Sequence, residues 1–453
     1  MNLSNLHNIY FIGIGGIGMS NLALYLDHMG KKVWGYDKTA SPITKRLEDK
    51  GIDVYFNIDI ERLKAQALDK TTTLIVYTPA IKREEHEELD YLMSNDYKVI
   101  KRAQLLAMVT DESICLAVAG THGKTTTSAI LAHILYDSGI KASGFLGGIA
   151  ENYNTNLILN GSEYTVVEAD EYDRSFLQLH PEYACITATD ADHLDIYQTQ
   201  EEFIEGFKQF AAQVKTQVFT HHNAPISGKT FGFETTDDYA ALNISIKDGI
   251  YSFDVKTPNA TCNNIRITLP GRHNIINTLA AISLADSIGV SMTQIKKALA
   301  TFKGIARRFT YRIKTDERVL IDDYAHHPTE LKALYNTVRA LYPEDQISIY
   351  FQPHTYSRTK DFWDGFVAIL SQFDNIYMLP IYAAREHPVE GITSQALAKD
   401  IKNIQQTTQL ITPGQLLKTV AGDSNRIIVM AGAGDIGEMI IEVTEHLKPT
   451  RHA

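Results

Sequence analysis

The sequence predicts an α/β protein of three units built on mainly parallel sheets. The chain has 453 residues, too many for one ordinary core. Short apolar runs ending in glycine or aspartate recur along it, each followed by a stretch with helical spacing, which is the signature of repeated strand, turn and helix. Three of these turns after strands are rich in glycine, as phosphate-binding turns in such sheets are. The expected boundaries are 1–109, 110–311 and 312–453.

In the first unit Ile9–Ile14, Lys32–Asp37 and Thr73–Thr78 read as strands, and the unit closes near Val109–Ser113. The second opens with a strand at Ile114–Ala119, a glycine-containing loop and a helix from about Thr126 to Ser138. Tyr164–Glu168 and Tyr183–Thr187 follow as strands. Between Leu242 and Leu269 the pattern becomes an alternation broken at Lys247–Gly249 and Thr257–Asn259, so a small antiparallel patch is expected there. The third unit has strands at Arg318–Asp322, Ile347–Phe351, Asn375–Leu379 and Arg426–Met430, and a last glycine-rich turn at Ala431–Gly434.

A formal net charge of −11 argues against binding to nucleic acid or to an anionic membrane, because both need a basic face to displace counterions. Cys115, Cys185 and Cys262 are widely spaced and odd in number, which supports neither a disulfide framework nor a zinc site. The N-terminus has no basic, cleavable leader pattern and no segment approaches 18 uncharged apolar residues. The expectation is a soluble cytoplasmic protein with no membrane insertion.

Gly13-Ile-Gly-Gly-Ile-Gly18 follows a strand, and Asp37 closes the next strand about 20 residues on. Glycines allow close backbone approach, a helix N-terminus receives phosphate and the acid binds a ribose hydroxyl. NAD, another ribose diphosphate such as a UDP-sugar, or a tight turn without ligand all satisfy this loop.

Val118-Ala-Gly-Thr-His-Gly-Lys-Thr125 lacks the first glycine of the full phosphate-loop pattern, because valine holds that place. The shortened core still offers backbone N–H groups from Gly120, Thr121, His122 and Gly123, the Lys124 ammonium and the hydroxyls of Thr125 and Thr126. Two acidic stretches follow at strand ends, Glu168-Ala-Asp-Glu-Tyr-Asp173 and Asp190-Ala-Asp-His-Leu-Asp195. Strand ends are where ligands lie in open α/β sheets, so the acids of both runs and His193 are expected to converge on the phosphate loop, where the Thr125 hydroxyl can ligate magnesium. Histidine is the unusual member, since magnesium prefers oxygen.

These loops occur together with Gly271-Arg-His-Asn-Ile-Ile-Asn277, Arg307-Arg-Phe309, Asp322-Asp-Tyr-Ala-His-His-Pro-Thr-Glu330 and Phe351-Gln-Pro-His354. The set resembles the Mur ligases of peptidoglycan synthesis, in the family's order and over nearly the whole chain. The resemblance implies an N-terminal Rossmann-like UDP-binding domain, a central P-loop ATPase and a C-terminal Rossmann-like domain. It implies ATP, UDP-N-acetylmuramate and L-alanine as substrates and magnesium, two ions, as cofactor. The sugar's carboxylate would be phosphorylated by ATP, and the amino acid's amine would then displace phosphate from the acyl phosphate. On this resemblance the UDP-sugar contacts are Gly15, Gly16, Ile17, Gly18, Met19, Ser20 and Asp37. ATP is held by Gly120 to Thr126, by Asn274 and Asn277 at adenine, and by Asp323. Thr125 and Glu168 hold one magnesium and His193 serves a second. Lys124, His193 and Arg308 are catalytic, while Tyr324, His326 and Arg358 meet the amino acid.

The sequence departs from the family pattern at three places. Thr355 stands where an arginine usually provides a second cation for the amino acid's carboxylate, Ala188 stands where an asparagine often precedes Asp-His, and Phe56-Asn57 replaces a Gly-His pair. Two alternatives follow. The amine donor is a recycled murein peptide, or, in another class, the chain is a dinucleotide-sensing regulatory NTPase that makes no bond.

Overall fold

The computed structural model describes residues 3–78, 81–190, 197, 199–247, 249–384 and 386–448. It contains three sheets. The first joins β1 (Asn8–Ile12), β2 (Lys32–Tyr36), β3 (Asp53–Tyr55), β4 (Thr73–Tyr77) and β5 (Lys98–Lys101) in the order β3-β2-β1-β4-β5, all parallel. The second holds β6 (Ile114–Ala119), β7 (Ala142–Ala150), β8 (Thr155–Leu159), β9 (Tyr164–Ala169), β10 (Tyr183–Ile186), β11 (Gln217–His221), β12 (Lys229–Gly232), β13 (Tyr239–Lys247), β14 (Ile250–Lys256) and β15 (Thr261–Ile267). Their order is β15-β14-β13-β12-β11-β10-β6-β9-β7-β8. The third holds β16 (Thr310–Lys314), β17 (Val319–Asp323), β18 (Ile347–Phe351), β19 (Asn375–Met378), β20 (Thr408–Leu410) and β21 (Ile427–Ala431), ordered β16-β17-β21-β18-β19-β20.

The α/β class is as the sequence indicates, and β6 and β18 have the expected bounds. The short strands β3, β5, β16 and β20 are additions, because three to five residues carry too little pattern to be seen. β13, β14 and β15 are consecutive neighbours in the sheet. Their linkers are far too short for the crossover a parallel pair needs, which makes this the antiparallel patch. Antiparallel pairing also occurs between β7 and β8 and between β16 and β17. β16 starts at Thr310, so a boundary at 312 falls inside a strand of the third sheet.

Two compact units emerge. One comprises Met1–Leu242, Asp254–Ile265 and Ile276–Phe302, the other Asn243–Phe253, Arg266–Ile275 and Lys303–Ala453. The first unit contains all of the first sheet and most of the second, because their helices share a core. Leu22 and Leu26 of the helix Ile17–His28 belong to one apolar cluster with Phe145 and Leu157. Tyr25 and Phe145 rings lie 5.2 Å apart, and the Asn21 amide donates to the Leu146 carbonyl at 2.9 Å. The central strands are covered on both faces. Ile9 and Phe11 of β1 enter one cluster while Tyr10 and Ile12 enter another, and β21 divides in the same way.

The strand orders decide where a site forms. β1 lies between β2 and β4, and β6 between β10 and β9, so the chain builds each sheet outward on one side of that strand and then crosses to the other side. The chain turns outward there and leaves a crevice at the carboxyl ends. In the third sheet β21 inserts between β17 and β18, so the segments after these three strands share one edge.

Candidate active site

Val118 explains the missing glycine. It is fully buried within β6, so the strand continues to Ala119 and the loop comprises only Gly120-Thr-His-Gly123. The helix Lys124–Asp137 begins at once, two residues earlier than the sequence suggests. Gly120 and Gly123 have φ of +128° and +85°, which only glycine adopts without strain. A Cβ on Gly120 would strike the hydroxyl of Thr187 and the backbone at Ala188. The loop is pinned to the end of β10: Thr121 donates from N to the Ala188 carbonyl (3.0 Å) and from Oγ1 to the Asp190 carbonyl (2.7 Å), and Thr187 donates to the His122 carbonyl. Asn277 on the helix Arg272–Ser287 brings Oδ1 to where a Cβ of Gly123 would stand. Thr126 is buried in the first turn of the loop's helix.

Lys124 is held inside this loop. Its Nζ donates to the Gly120 carbonyl at 2.6 Å and to both oxygens of Glu171, at 2.8 and 2.7 Å. Burial alone would push its pKa down, but Glu171, Asp170 and Glu168 outweigh burial and raise it, so the ammonium stays charged. Thr125 Oγ1 donates to Glu168 at 3.1 Å, Ser128 Oγ donates to the same carboxylate at 3.2 Å, and the Gly147 N–H does so too. Burial pushes the Glu168 pKa up against these donors. Thr125 and Glu168, expected to share a metal, therefore meet. Among the described residues no group of three or more His, Cys, Asp and Glu gathers as a metal cluster. His193 lies outside the described residues.

At the first glycine loop Gly13 has φ +89°, and Gly16, Ile17, Met19 and Ser20 carry the chain into the helix Ile17–His28. Asp37 Oδ2 accepts from the Gly15 N–H at 2.7 Å, so the acid closes on the turn itself. A Cβ on Gly18 would stand 2.7 Å from Nη1 of Arg102. Arg102 also faces Asp170 at 3.7 Å, and so places a cation between the first glycine loop and the acidic end of β9.

In the second unit the segments after β17 and β18 form a separate cluster. Asp323 is half-buried; its oxygens accept from Phe309 N at 2.7 Å and Ala325 N at 2.8 Å. Burial lifts its pKa to about 6, with Arg308 and the two N–H groups pulling the other way. Of the paired arginines, Arg307 donates to the Gly432 carbonyl at 2.5 Å and pairs with Asp322 at 3.4 Å. Arg308 lies over the Tyr324 ring, 5.1 Å from its centre, and 3.7 Å from Glu330. His326 stands edge-on to Tyr324, and its Nδ1 meets the Tyr324 carbonyl at 2.8 Å. Burial lowers the pKa of His326 to about 4, so the ring is neutral, and the carbonyl, which can only accept, fixes the proton on Nδ1. His354 is 5.8 Å from His326 between ring centres, and its Nδ1 faces Arg358 Nη1 at 3.3 Å. Burial lowers His354 to about 4 as well, whereas His273 is exposed at the start of the helix Arg272–Ser287. The Asn274 amide donates to the Pro270 carbonyl at 2.7 Å.

Several of these residues escaped the sequence reading. Glu171 lies within the acidic run quoted for Glu168, but nothing marks it as the lysine's partner before β9 and the phosphate loop are brought together. His354 stands in the quoted Phe351–His354 run. Gly147, Ser128, Thr187 and Arg102 had no local signal, because their roles arise from approach across the sheet.

Family models for the Mur ligase family catalytic domain, the Mur ligase middle domain and the Mur ligase glutamate ligase domain match residues 8–113, 118–285 and 307–436. A UDP-N-acetylmuramate--L-alanine ligase of Flavobacterium johnsoniae is 48% identical over 449 residues, with 99% of each chain covered. The protein of the same name from Flavobacterium psychrophilum is 47% identical, again with 99% of each covered. The crystal structure of the UDP-N-acetylmuramate-alanine ligase MurC of Thermotoga maritima superposes with a TM-score of 0.82 at 27% identity, covering 97% of this chain and 98% of that one. With matches to all three family domains and relatives near half identity along its length, the chain is a member of the Mur ligase family.

Proposed function

We propose that this protein joins L-alanine to the carboxylate of UDP-N-acetylmuramate at the expense of ATP, forming ADP and phosphate in peptidoglycan precursor synthesis. The observation that carries the reading is the meeting of Lys124, Thr125 and Glu168 at a shortened phosphate loop, in a chain whose near full-length relatives bear that ligase name. The expected domains, 1–109 for the UDP-sugar, 110–311 for ATP and 312–453 for the amino acid, belong to this proposal, with the last boundary set before β16.

A carboxylate approaching a polyphosphate brings anions together, so positive charge must offset repulsion and the charge that develops during transfer. Lys124 supplies it, exchanging Glu171 for phosphate, while the loop's N–H groups other than that of Thr121, which is held by the Ala188 carbonyl, cradle the same oxygens. The donors beside them are a half-buried carboxylate and two hydroxyls, an all-oxygen set that suits magnesium. Thr125 and Glu168 would hold the ion, which when bound neutralises phosphate charge; His193 is proposed for a second ion. Gly15 to Ser20 with Asp37 are proposed for the UDP-sugar, Asn274, Asn277 and Asp323 for ATP, and Arg308 for the phosphate in transfer. Arg358 takes the amino acid's carboxylate, as its planar guanidinium suits. Tyr324 and neutral His326 border the amine, and His326 Nε2 remains as an acceptor for an amine N–H.

No helix among the described residues is long and apolar enough to cross a membrane. Cytoplasmic localisation is part of the proposal.

The test is phosphate release from magnesium-ATP and UDP-N-acetylmuramate with L-alanine, glycine, L-serine or the murein tripeptide as amine donor. Fastest release with L-alanine is expected. Release with the tripeptide alone would move the protein to peptide recycling, and no release with any donor would reopen the regulatory NTPase.

A further inference from the structure

The chain leaves β18 through a conformation that its sequence should avoid. Thr355 has φ +63° and ψ 150°, a region that is essentially glycine's own and worst for a β-branched residue. Such a backbone persists only where its surroundings over-determine it. Here they come from one segment. The Thr355 N–H donates to the Tyr382 carbonyl at 2.8 Å, and Tyr382 donates back to the Pro353 carbonyl at 2.9 Å. Glu386 then takes the next two N–H groups on one oxygen, Tyr356 at 2.7 Å and Ser357 at 2.9 Å, and the Ser357 hydroxyl on the other at 2.5 Å. Burial raises the carboxyl's pKa, but these donors outweigh it and hold Glu386 below the usual carboxylate range, so it is ionised.

The turn has a consequence for recognition. Thr355 Oγ1 accepts from the Arg358 N–H at 3.4 Å, which starts the helix Tyr356–Asp361, and the Arg358 side chain comes back to His354, itself stacked on Tyr382 with 5.7 Å between ring centres. An ordinary extended Thr355 would send the helix elsewhere and take Arg358 with it.

We infer that Glu386 is a positioning residue for the amine donor: its carboxylate clamps the strained turn at Thr355 and thereby fixes the Arg358 guanidinium beside His354. The inference rests on the reading of Arg358 as the residue that meets the donor's carboxylate. It also gives this chain a way to recognise that carboxylate rigidly although Thr355 replaces a second arginine. A guanidinium already held in place loses less freedom on binding.

Steady-state phosphate release tests it. Glu386→Gln is expected to raise KM for L-alanine about tenfold, the size of strain stored at such a residue, while kcat at saturating donor and KM for ATP stay within about twofold. In Glu386→Gln/Thr355→Gly the strained position becomes glycine, which needs no clamp, and KM for L-alanine is expected to return to within about threefold of the parent value. A merely structural cap would not be rescued that way. An unchanged KM in the single variant, or a double variant as weak as the single, overturns the inference. Should Glu386→Gln not fold, Ser357→Ala removes one of the clamp's donors, and a rise in KM of about threefold is expected; no rise sinks the idea. If the parent protein turns over only with another amine donor, KM is measured for that donor. If it turns over with none, the reading of function has failed before the inference is reached.

Discussion

The phosphate loop of the first unit and the histidine cluster of the second handle charge in opposite ways. At the loop, Lys124 is kept charged by a buried carboxylate that holds both its oxygens against the ammonium. In the cluster, His326 and His354 are kept neutral by desolvation, and Asp323 is lifted toward neutrality. The difference follows from the groups each place is proposed to meet. A polyphosphate requires a permanent cation that a ligand can draw from an internal counterion. An amine requires neighbours that do not repel it, which neutral imidazoles provide.

The comparison breaks most sharply at Lys124. Lys124→Ala is expected to lower kcat by about a thousandfold or more, because no other group in the loop can neutralise the phosphates. The same change leaves Glu171 buried without its counterion, which costs about 3 kcal/mol of stability. Lys124→Ala/Glu171→Gln should therefore recover much of the lost stability in thermal melts and none of the activity. If the double variant melts as low as the single, Glu171 is not the lysine's counterion in solution.

Acidification tests the other half. His326 and His354 each titrate near 6.5 when unfolded and about 4 when folded. The unfolded chain therefore takes up protons that the folded one refuses. Stability from this source is complete above about 6.5 and is lost as pH falls toward 4. Asp323 has the opposite sign. Its folded pKa of about 6 lies above the ordinary 3.8, so its contribution is present at low pH and lost as pH rises through 6. Between about 4 and 6 it offsets one of the two histidine protons. Asp323→Asn removes that offset, and acid should then cost an additional 1 to 1.4 kcal/mol or so per pH unit, read as a steeper fall of the urea midpoint. A shallower fall in the variant would contradict the sign assigned to Asp323.

The two places also differ in how far they could be read from residues alone. Gly120, Gly123, Lys124 and Thr125 are consecutive or nearly so, and their geometry is made by the backbone of one turn, so a short string carries it. The acidic run containing Glu168 could be placed near the loop because strand ends converge in such sheets, while the pairing of Glu168 with Thr125 rested on family resemblance. The cluster around His326 draws on residues from Arg308 to Glu386, and what matters is each group's burial, which no local pattern reports. For the same reason Tyr324, His326 and Arg358 rested on family resemblance, and Glu330 and Glu386 were not singled out. Sharing of one core by the first two sheets was hidden too, since Tyr25 and Phe145 look like ordinary core residues until the helix Ile17–His28 meets β7.

The smallest effect on catalysis is expected where the loop looked most defective. Restoring the glycine of the longer phosphate-loop pattern, Val118→Gly, alters a position fully buried in β6 and paired in register with Glu168 of β9 and Cys185 of β10. Losing the side chain there costs about 2 kcal/mol of burial, and glycine in a strand interior costs somewhat more. The turn itself begins two residues later at Gly120, whose φ is already that of glycine. KM for ATP should stay within about twofold while the melting midpoint falls. If Val118→Gly instead tightened ATP binding, the loop would extend back into β6. The phosphate cradle would then depend on strand residues as well as on the four-residue turn.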